Sequence, residues 1–97
     1  MPTVSFLLEF DLSQPVKIAI AGANGRMGRA VAQALEGRMD AVVAARFERP
    51  GVEGEGLVAR EAALAAAEAV IDFTLPEASV ALAEEAAANG GPALVIG

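Results

Sequence analysis

The stretch that decides the fold reads Val16-Lys-Ile-Ala-Ile-Ala-Gly-Ala-Asn-Gly-Arg-Met-Gly28. It starts as an apolar strand, enters a turn with glycines at 22, 25 and 28, and continues into an amphipathic helix. A strand that ends in such a turn aims backbone N–H groups and the positive end of a helix dipole at one point. The stretch therefore predicts a cradle for the phosphates of a dinucleotide.

Each glycine of the turn has a predicted task. One allows the tight turn, one lets a pyrophosphate approach the main chain, and one lets the helix pack closely on the strand. The spacing is Gly-x-x-Gly-x-x-Gly, one residue longer than the common Gly-x-Gly-x-x-Gly, so the pattern is weak evidence without its context.

The helix after the turn carries an apolar stripe that predicts one face packed on a sheet. Gly37 is the predicted end of this helix. The predicted stripe consists of Met27, Ala30, Val31, Ala34 and Leu35.

An acid and a base follow the second predicted strand. Glu48 stands about 20 residues beyond the last glycine, where a dinucleotide fold places the acid that binds ribose hydroxyls. Arg49, its neighbour, would attract a 2′-phosphate, so the pair predicts binding of both NADH and NADPH. The alternative is a solvated charged loop, because residues 48–56 are rich in charge, Gly and Pro.

Strand and helix patterns alternate along the chain, which predicts an α/β fold with a parallel sheet covered by helices on both faces. Right-handed crossovers predict the Rossmann-like strand order 2-1-3-4 and a ligand crevice beyond Gly22 and Phe73. The predicted strands are 16–21, 40–46, 69–73 and 93–96, and the predicted helices are 26–36, 58–67 and 75–89.

The third strand ends in Asp72-Phe-Thr-Leu-Pro-Glu77. Phe73 and Thr74, at its tip, are predicted to lie against the nicotinamide half of the cofactor. The alternative is structural: Thr74 and Glu77 have capping-box spacing, and Pro76 fits a first helical turn. Asp72 is expected to bond a nearby backbone N–H, and no catalytic role is assigned to it.

Composition excludes several classes of protein. The chain has 97 residues, 7 basic against 13 acidic side chains, a net charge of −6 and no Cys or His. This balance argues against nucleic-acid binding, a disulfide framework and a thiolate zinc site, and no metal site is predicted. With no apolar stretch near 20 residues and no basic flank before the first apolar run, neither a membrane partner nor a signal peptide is expected, and the expected location is the cytoplasm.

Residues 1–15 form a predicted extension ahead of the dinucleotide-binding domain, which spans 16–97. Apolar and mostly polar residues alternate from Val4 to Leu12, which predicts a strand with one apolar face. This strand would join a sheet edge of its own subunit or of another molecule, so that the chain could self-associate. An appended extension unrelated to function is the alternative.

Three motifs together resemble the N-terminal domain of dihydrodipicolinate reductase over residues 16–97. They are Gly22-Ala-Asn-Gly-Arg-Met-Gly28, Val70-Ile-Asp-Phe-Thr-Leu-Pro-Glu77 and Leu94-Val-Ile-Gly97. The resemblance implies that the glycine turn binds the pyrophosphate, Glu48 and Arg49 the adenosine ribose, and Phe73, Thr74 and Gly97 the nicotinamide side. The implied cofactor-binding residues are Gly22, Ala23, Asn24, Gly25, Arg26, Met27, Gly28, Glu48, Arg49, Phe73, Thr74 and Gly97.

The implied reaction is hydride transfer from NADH or NADPH to 4-hydroxy-tetrahydrodipicolinate in lysine and diaminopimelate biosynthesis, in a homotetramer. Members of this family continue beyond Val-Ile-Gly into a substrate domain with paired histidines and a lysine. This chain has no His, and Lys17, its only Lys, opens the first strand. We therefore expect a cofactor domain that binds NADH and NADPH weakly and is inactive by itself, because positioning and proton delivery are missing.

The alternative class is a Rossmann module without enzyme activity, for nucleotide sensing or assembly, in which the glycine turn serves packing alone. Aspartate and homoserine dehydrogenases have a similar glycine turn, but a resemblance to them would not account for the motif Asp-Phe-Thr-x-Pro.

Overall fold

The computed structural model describes residues 14–49 and 51–97. Strands and helices alternate as predicted, and most element ends fall within two residues of the expected positions. The predicted strand between Val4 and Leu12 lies outside the described residues and stays a prediction. The elements are β1 Val16–Ala21, α1 Arg26–Leu35, β2 Ala41–Phe47, α2 Arg60–Ala66, β3 Ala69–Asp72, α3 Pro76–Ala88 and β4 Ala93–Ile96.

The four strands form one parallel sheet in the order β2-β1-β3-β4, which confirms the predicted Rossmann-like topology. In the register of β1 with β3, Ala19 lies opposite Val70 and Ala21 opposite Asp72. The carboxyl ends of these two neighbouring strands therefore meet at the point where the chain reverses its direction across the sheet. Ligands of open α/β sheets bind at this position.

The main core lies between the sheet and helices α2 and α3. Apart from Phe47, its residues are small or medium in size, which lets the helices approach the sheet closely. The core cluster contains Ala19, Ala21, Ala45, Phe47, Ala63, Leu64, Val70 and Leu82.

None of the helices in the described part is long and apolar enough to cross a membrane.

The rotation of α1 differs from the prediction by one residue. The buried residue of this helix is Gly28, and the half-buried positions follow it at helical spacing: Val31, Ala32 and Leu35. The predicted stripe was therefore wrong at Met27, Ala30 and Ala34, which are exposed. The reason is that the closest contact of α1 is made by a glycine, which carries no hydrophobic signal in the sequence.

Candidate cofactor-binding cleft

Two of the three glycines are required by the fold itself. Gly22 has a φ of +75°, which side chains rarely adopt, and a Cβ there would stand 3.2 Å from the Phe73 carbonyl oxygen. A Cβ on Gly28 would stand 2.3 Å from the Gly22 carbonyl oxygen. Gly22 thus permits the turn, and Gly28 permits the close packing of α1 on it.

Gly25 has no such reason within the described structure. It precedes α1 as its N-cap residue with a φ of −76°, which any residue adopts, and no side chain caps the helix. A Cβ there would meet the Gly22 oxygen at 3.4 Å, an ordinary contact. Gly25 also lines a cleft, and its Cβ position meets no other atom within 4 Å among the described residues.

The amides of the turn are largely engaged inside the protein, contrary to the expectation that the turn aims its backbone N–H groups at a phosphate. The N–H groups of Gly22 and Ala23 donate to the Phe47 carbonyl at 3.0 and 3.3 Å. The Asn24 N–H donates to Glu48 Oε2 at 2.7 Å, and the Gly25 N–H donates to the Gly22 carbonyl at 3.1 Å.

The amides of the first turn of α1 remain. Those of Arg26, Met27 and Gly28 have no hydrogen-bond partner within residues 14–49 and 51–97. The first N–H groups of a helix have no intrahelical acceptor, and the helix dipole makes them attractive to anions. The unpartnered amides are therefore fewer than predicted, and within the described residues they are confined to the start of α1.

Glu48 and Arg49 stand at the mouth of the same cleft. The Glu48 side chain is half-buried because its Oε2 is held by the Asn24 amide, and its Oε1 accepts no hydrogen bond within the described part of the chain. Glu48 thus ties the end of β2 to the glycine turn, while Arg49 is exposed.

The tip of β3 closes the other side of the cleft. The capping-box alternative is wrong, because α3 has Leu75 as its N-cap without a side-chain hydrogen bond, and the Thr74 backbone N–H, which Glu77 would accept in a capping box, donates to Asp72. Asp72 accepts the backbone N–H of Thr74 at 2.8 Å, as expected. Gly97 lies against the Phe73 ring, since a Cβ there would come within 2.3 Å of a ring carbon.

The cleft has a volume of about 250 Å³. The predicted residues that line it are Gly22, Gly25, Glu48, Arg49, Phe73 and Thr74, whereas Ala23, Asn24, Arg26, Met27, Gly28 and Gly97 stand outside its lining. Sequence reasoning missed the lining residues Ala21, Phe47, Arg60, Leu75, Ala78 and Leu82.

Arg60 is the charged residue among those that were missed. It begins α2, and its Nε lies 2.8 Å from Glu85 Oε1 of α3. The contact is an ion pair but not a hydrogen bond, because among the described residues no acceptor is aligned with the Arg60 Nε–H. A cation at a helix N-terminus opposes the helix dipole, which is a sequence signal that could have drawn attention to it.

A parallel sheet in the order 2-1-3-4 with a glycine turn at the tip of its first strand defines a Rossmann-like nucleotide-binding domain. The family described as dihydrodipicolinate reductase, N-terminus, matches residues 16–97, and the chain belongs to this family.

Similar proteins carry the name 4-hydroxy-tetrahydrodipicolinate reductase. The Caulobacter vibrioides protein is 94% identical over 86 residues, which cover 89% of this chain and 34% of that protein. The Aromatoleum aromaticum protein is 44% identical over 105 residues, 90% of this chain and 37% of its own. A Neisseria meningitidis serogroup C relative is 41% identical over 78 residues, 65% of this chain and 29% of its own. The chain thus spans about a third of the length of the relatives it matches.

Proposed function

We propose that this chain is the nicotinamide-dinucleotide-binding domain of a 4-hydroxy-tetrahydrodipicolinate reductase. The observation that carries the proposal is the open N-cap position of α1. Among the described residues, no packing contact requires Gly25 to be glycine, and it borders a cleft and three first-turn amides that have no partner there. An anion seated there would satisfy those amides and would occupy the space that a Cβ would fill.

The pyrophosphate would be held by the amides of Arg26, Met27 and Gly28. The adenosine ribose would be bound by the free Oε1 of Glu48, and Arg49 would bind a 2′-phosphate, so that both NADH and NADPH are accepted. Phe73, Thr74 and Gly97 would border the nicotinamide, as the family resemblance implies. Bound NADH or NADPH supplies the hydride of the reaction.

The shape of the surface supports this division. The cleft of about 250 Å³ is at the small end for a ligand site, so it would take only part of a dinucleotide. A second, open cavity of about 760 Å³ adjoins it and shares Glu48, Arg49 and Arg60 as lining residues. The adenosine end would extend into this second cavity.

The sharpest test is Gly25→Asp. An aspartate at this N-cap should accept the free amides of α1 and stabilise the helix by about 1 kcal/mol. The same carboxylate would occupy the phosphate seat and repel the cofactor, so NADH affinity should fall by more than about tenfold, which corresponds to the loss of one charge-assisted hydrogen bond. A thermal melt and a titration of NADH fluorescence measure the two opposite effects.

Gly25→Ala is the matched control for charge: its Cβ also enters the space proposed for the anion, so it should weaken NADH binding, but by less than Gly25→Asp, and it should not stabilise the helix. Gly25→Val should abolish binding with the fold intact by circular dichroism. If the folded wild-type chain binds neither NADH nor NADPH at millimolar concentration, the proposal fails and a turn that serves packing alone is favoured.

Further proposals follow from the family resemblance. The whole protein would be a cytoplasmic homotetramer that needs no nucleic acid or membrane. Native mass spectrometry of the chain with and without residues 1–14 tests whether the predicted N-terminal strand contributes to self-association, and an unchanged assembly state would count against it.

A further inference from the structure

Asp72 is a buried carboxyl group directly behind the cleft. It is fully buried, and the other buried polar side chain of the described residues is Ser79 in the first turns of α3. Asp72 lies opposite Ala21 in the sheet and two residues after Val70, so its side chain shares the face of the core residues that pack under α2 and α3. Burial of a carboxyl group is costly unless it is hydrogen-bonded.

The contacts of this carboxyl group are uneven. Oδ1 accepts the Thr74 backbone N–H at 2.8 Å and the Thr74 hydroxyl at 2.5 Å. Oδ2 is buried and accepts no hydrogen bond within the described part of the chain. Both hydrogen bonds to the Asp72 carboxyl group therefore come from Thr74.

The proton of the Thr74 hydroxyl is committed to Asp72, which determines the rest of the network. A hydroxyl has one proton, so in the contact of 3.3 Å between Thr74 Oγ1 and Ser79 Oγ the serine must donate. Ser79 belongs to α3, so this bond joins the tip of β3 to the positive end of a helix.

The orientation of Thr74 follows from these bonds. Its hydroxyl is turned into the protein, and its methyl group is turned toward the glycine turn, since a Cβ on Gly22 would meet Thr74 Cγ2 at 3.4 Å. Thr74 therefore presents its methyl group and main chain to the cleft and has no hydroxyl proton left to donate to a ligand.

We propose that Asp72 is a positioning residue for the cofactor cleft: through Thr74 it fixes the wall of the cleft on the nicotinamide side at the distance from Gly22 that the cofactor needs. This inference rests on the proposed function. It assigns Thr74 a role through Asp72 rather than through a hydroxyl contact with the cofactor.

A double-mutant cycle of Asp72→Asn and Thr74→Val tests the assignment. Affinities are measured by calorimetry for NADH and for ADP-ribose, which lacks the nicotinamide, at a temperature where thermal melts show every variant folded. Each single substitution should weaken NADH binding by roughly tenfold, as expected for a lost charge-assisted hydrogen bond. ADP-ribose binding should change by less than about twofold, and the double variant should bind NADH about as well as either single variant.

The controls separate positioning from general loss of structure. Thr74→Ser keeps the hydroxyl and should restore most of the NADH affinity that Thr74→Val loses. Asp40→Asn makes the same chemical change on an exposed carboxylate and should leave the affinities for NADH and ADP-ribose unchanged. If the Val variant does not fold, Ser79→Ala, which removes only the donor to Thr74, should weaken NADH more than ADP-ribose.

Three results would overturn the inference. Equal weakening of ADP-ribose and NADH would show a structural role alone. Additive losses in the double variant would show that the Thr74 hydroxyl contacts the ligand directly. A folded wild-type chain that binds neither ligand would refute the proposed function and this inference with it, whereas the first two results leave the proposed function standing.

Discussion

Replacing Gly28 by alanine should damage the fold far more than the same change at Gly25, although both belong to one glycine pattern. A Cβ on Gly28 would stand 2.3 Å from the Gly22 oxygen and 2.8 Å from the Ala23 Cα, and real Cβ atoms do not approach within 3.0 Å. These are backbone atoms of a turn whose amides are bonded to Phe47, so relief requires α1 to move away from the turn. Overpacking of this kind costs about 1–3 kcal/mol.

The clash at Gly28 is at the upper end of that range because the neighbouring backbone is fixed at both ends. The higher helix propensity of alanine returns up to about 1 kcal/mol, which leaves a net loss of about 2 kcal/mol. For a chain of this size, such a loss lowers the melting temperature by about 8–16 °C. At Gly25, alanine is a poorer N-cap than glycine, which destabilises the fold, but it also lowers the entropy of the unfolded chain, which stabilises the fold. The two effects nearly cancel, so the free energy of unfolding should change by close to zero.

Thermal unfolding followed by circular dichroism measures both variants against the wild type. The reasoning is refuted if Gly28→Ala melts at the same temperature as Gly25→Ala. It is also refuted if Gly25→Ala is the less stable of the two, since that would place the close contact at the wrong glycine.

Three further predictions concern the core, the cofactor preference and a surface ion pair. Leu82 is 2% exposed, so Leu82→Ala should cost about 2–5 kcal/mol in urea unfolding, and a cost below about 1 kcal/mol would contradict its place in the core. Glu48→Gln should raise the affinity for NADPH relative to NADH, and Arg49→Gln should lower the affinity for NADPH relative to NADH. Each change should be a few fold in paired titrations, as for partly exposed charges. A shift of this affinity ratio in the same direction for both variants would contradict the assigned roles. The hydrogen bond from Arg38 lowers the pKa of Asp40, so the pair stabilises the fold at pH values above the ordinary carboxyl range and loses that contribution as the pH falls through the lowered pKa. Arg38→Gln should raise the pKa of Asp40 in an NMR titration, and an unchanged pKa would refute the pairing.

The fold was predictable because its signals are local. Strand and helix periodicities are readable one segment at a time, and a right-handed crossover rule turns their order into the sheet order β2-β1-β3-β4. The rotation of α1 was not predictable in this way, because the residue that sets it, Gly28, contributes a contact through the absence of a side chain.

The tip of β3 shows a second limit. Thr74 and Glu77 have the right spacing for a capping box, in which the Glu77 carboxylate would accept the Thr74 backbone N–H, but the buried carboxyl group of Asp72 lies two residues before Thr74 and accepts that N–H instead. Which of two carboxylates accepts this one backbone N–H depends on their positions in the fold, which spacing in the sequence does not report. The helix α3 begins at Pro76, with Leu75 as an N-cap that contributes no side-chain hydrogen bond.

The glycine pattern places N–H groups in a turn, but it does not say which acceptors reach them first. Here the register that sets Phe47 opposite Ala21 brings the end of β2 beside the turn, and the Phe47 carbonyl and the Glu48 carboxylate take three consecutive amides. Within the described residues, the amides left for an anion are those of the first turn of α1. If the proposed function is right, binding should depend most on Gly25, which lies between the occupied amides and these unpartnered ones and whose Cβ position meets the Gly22 oxygen at 3.4 Å and no other close atom.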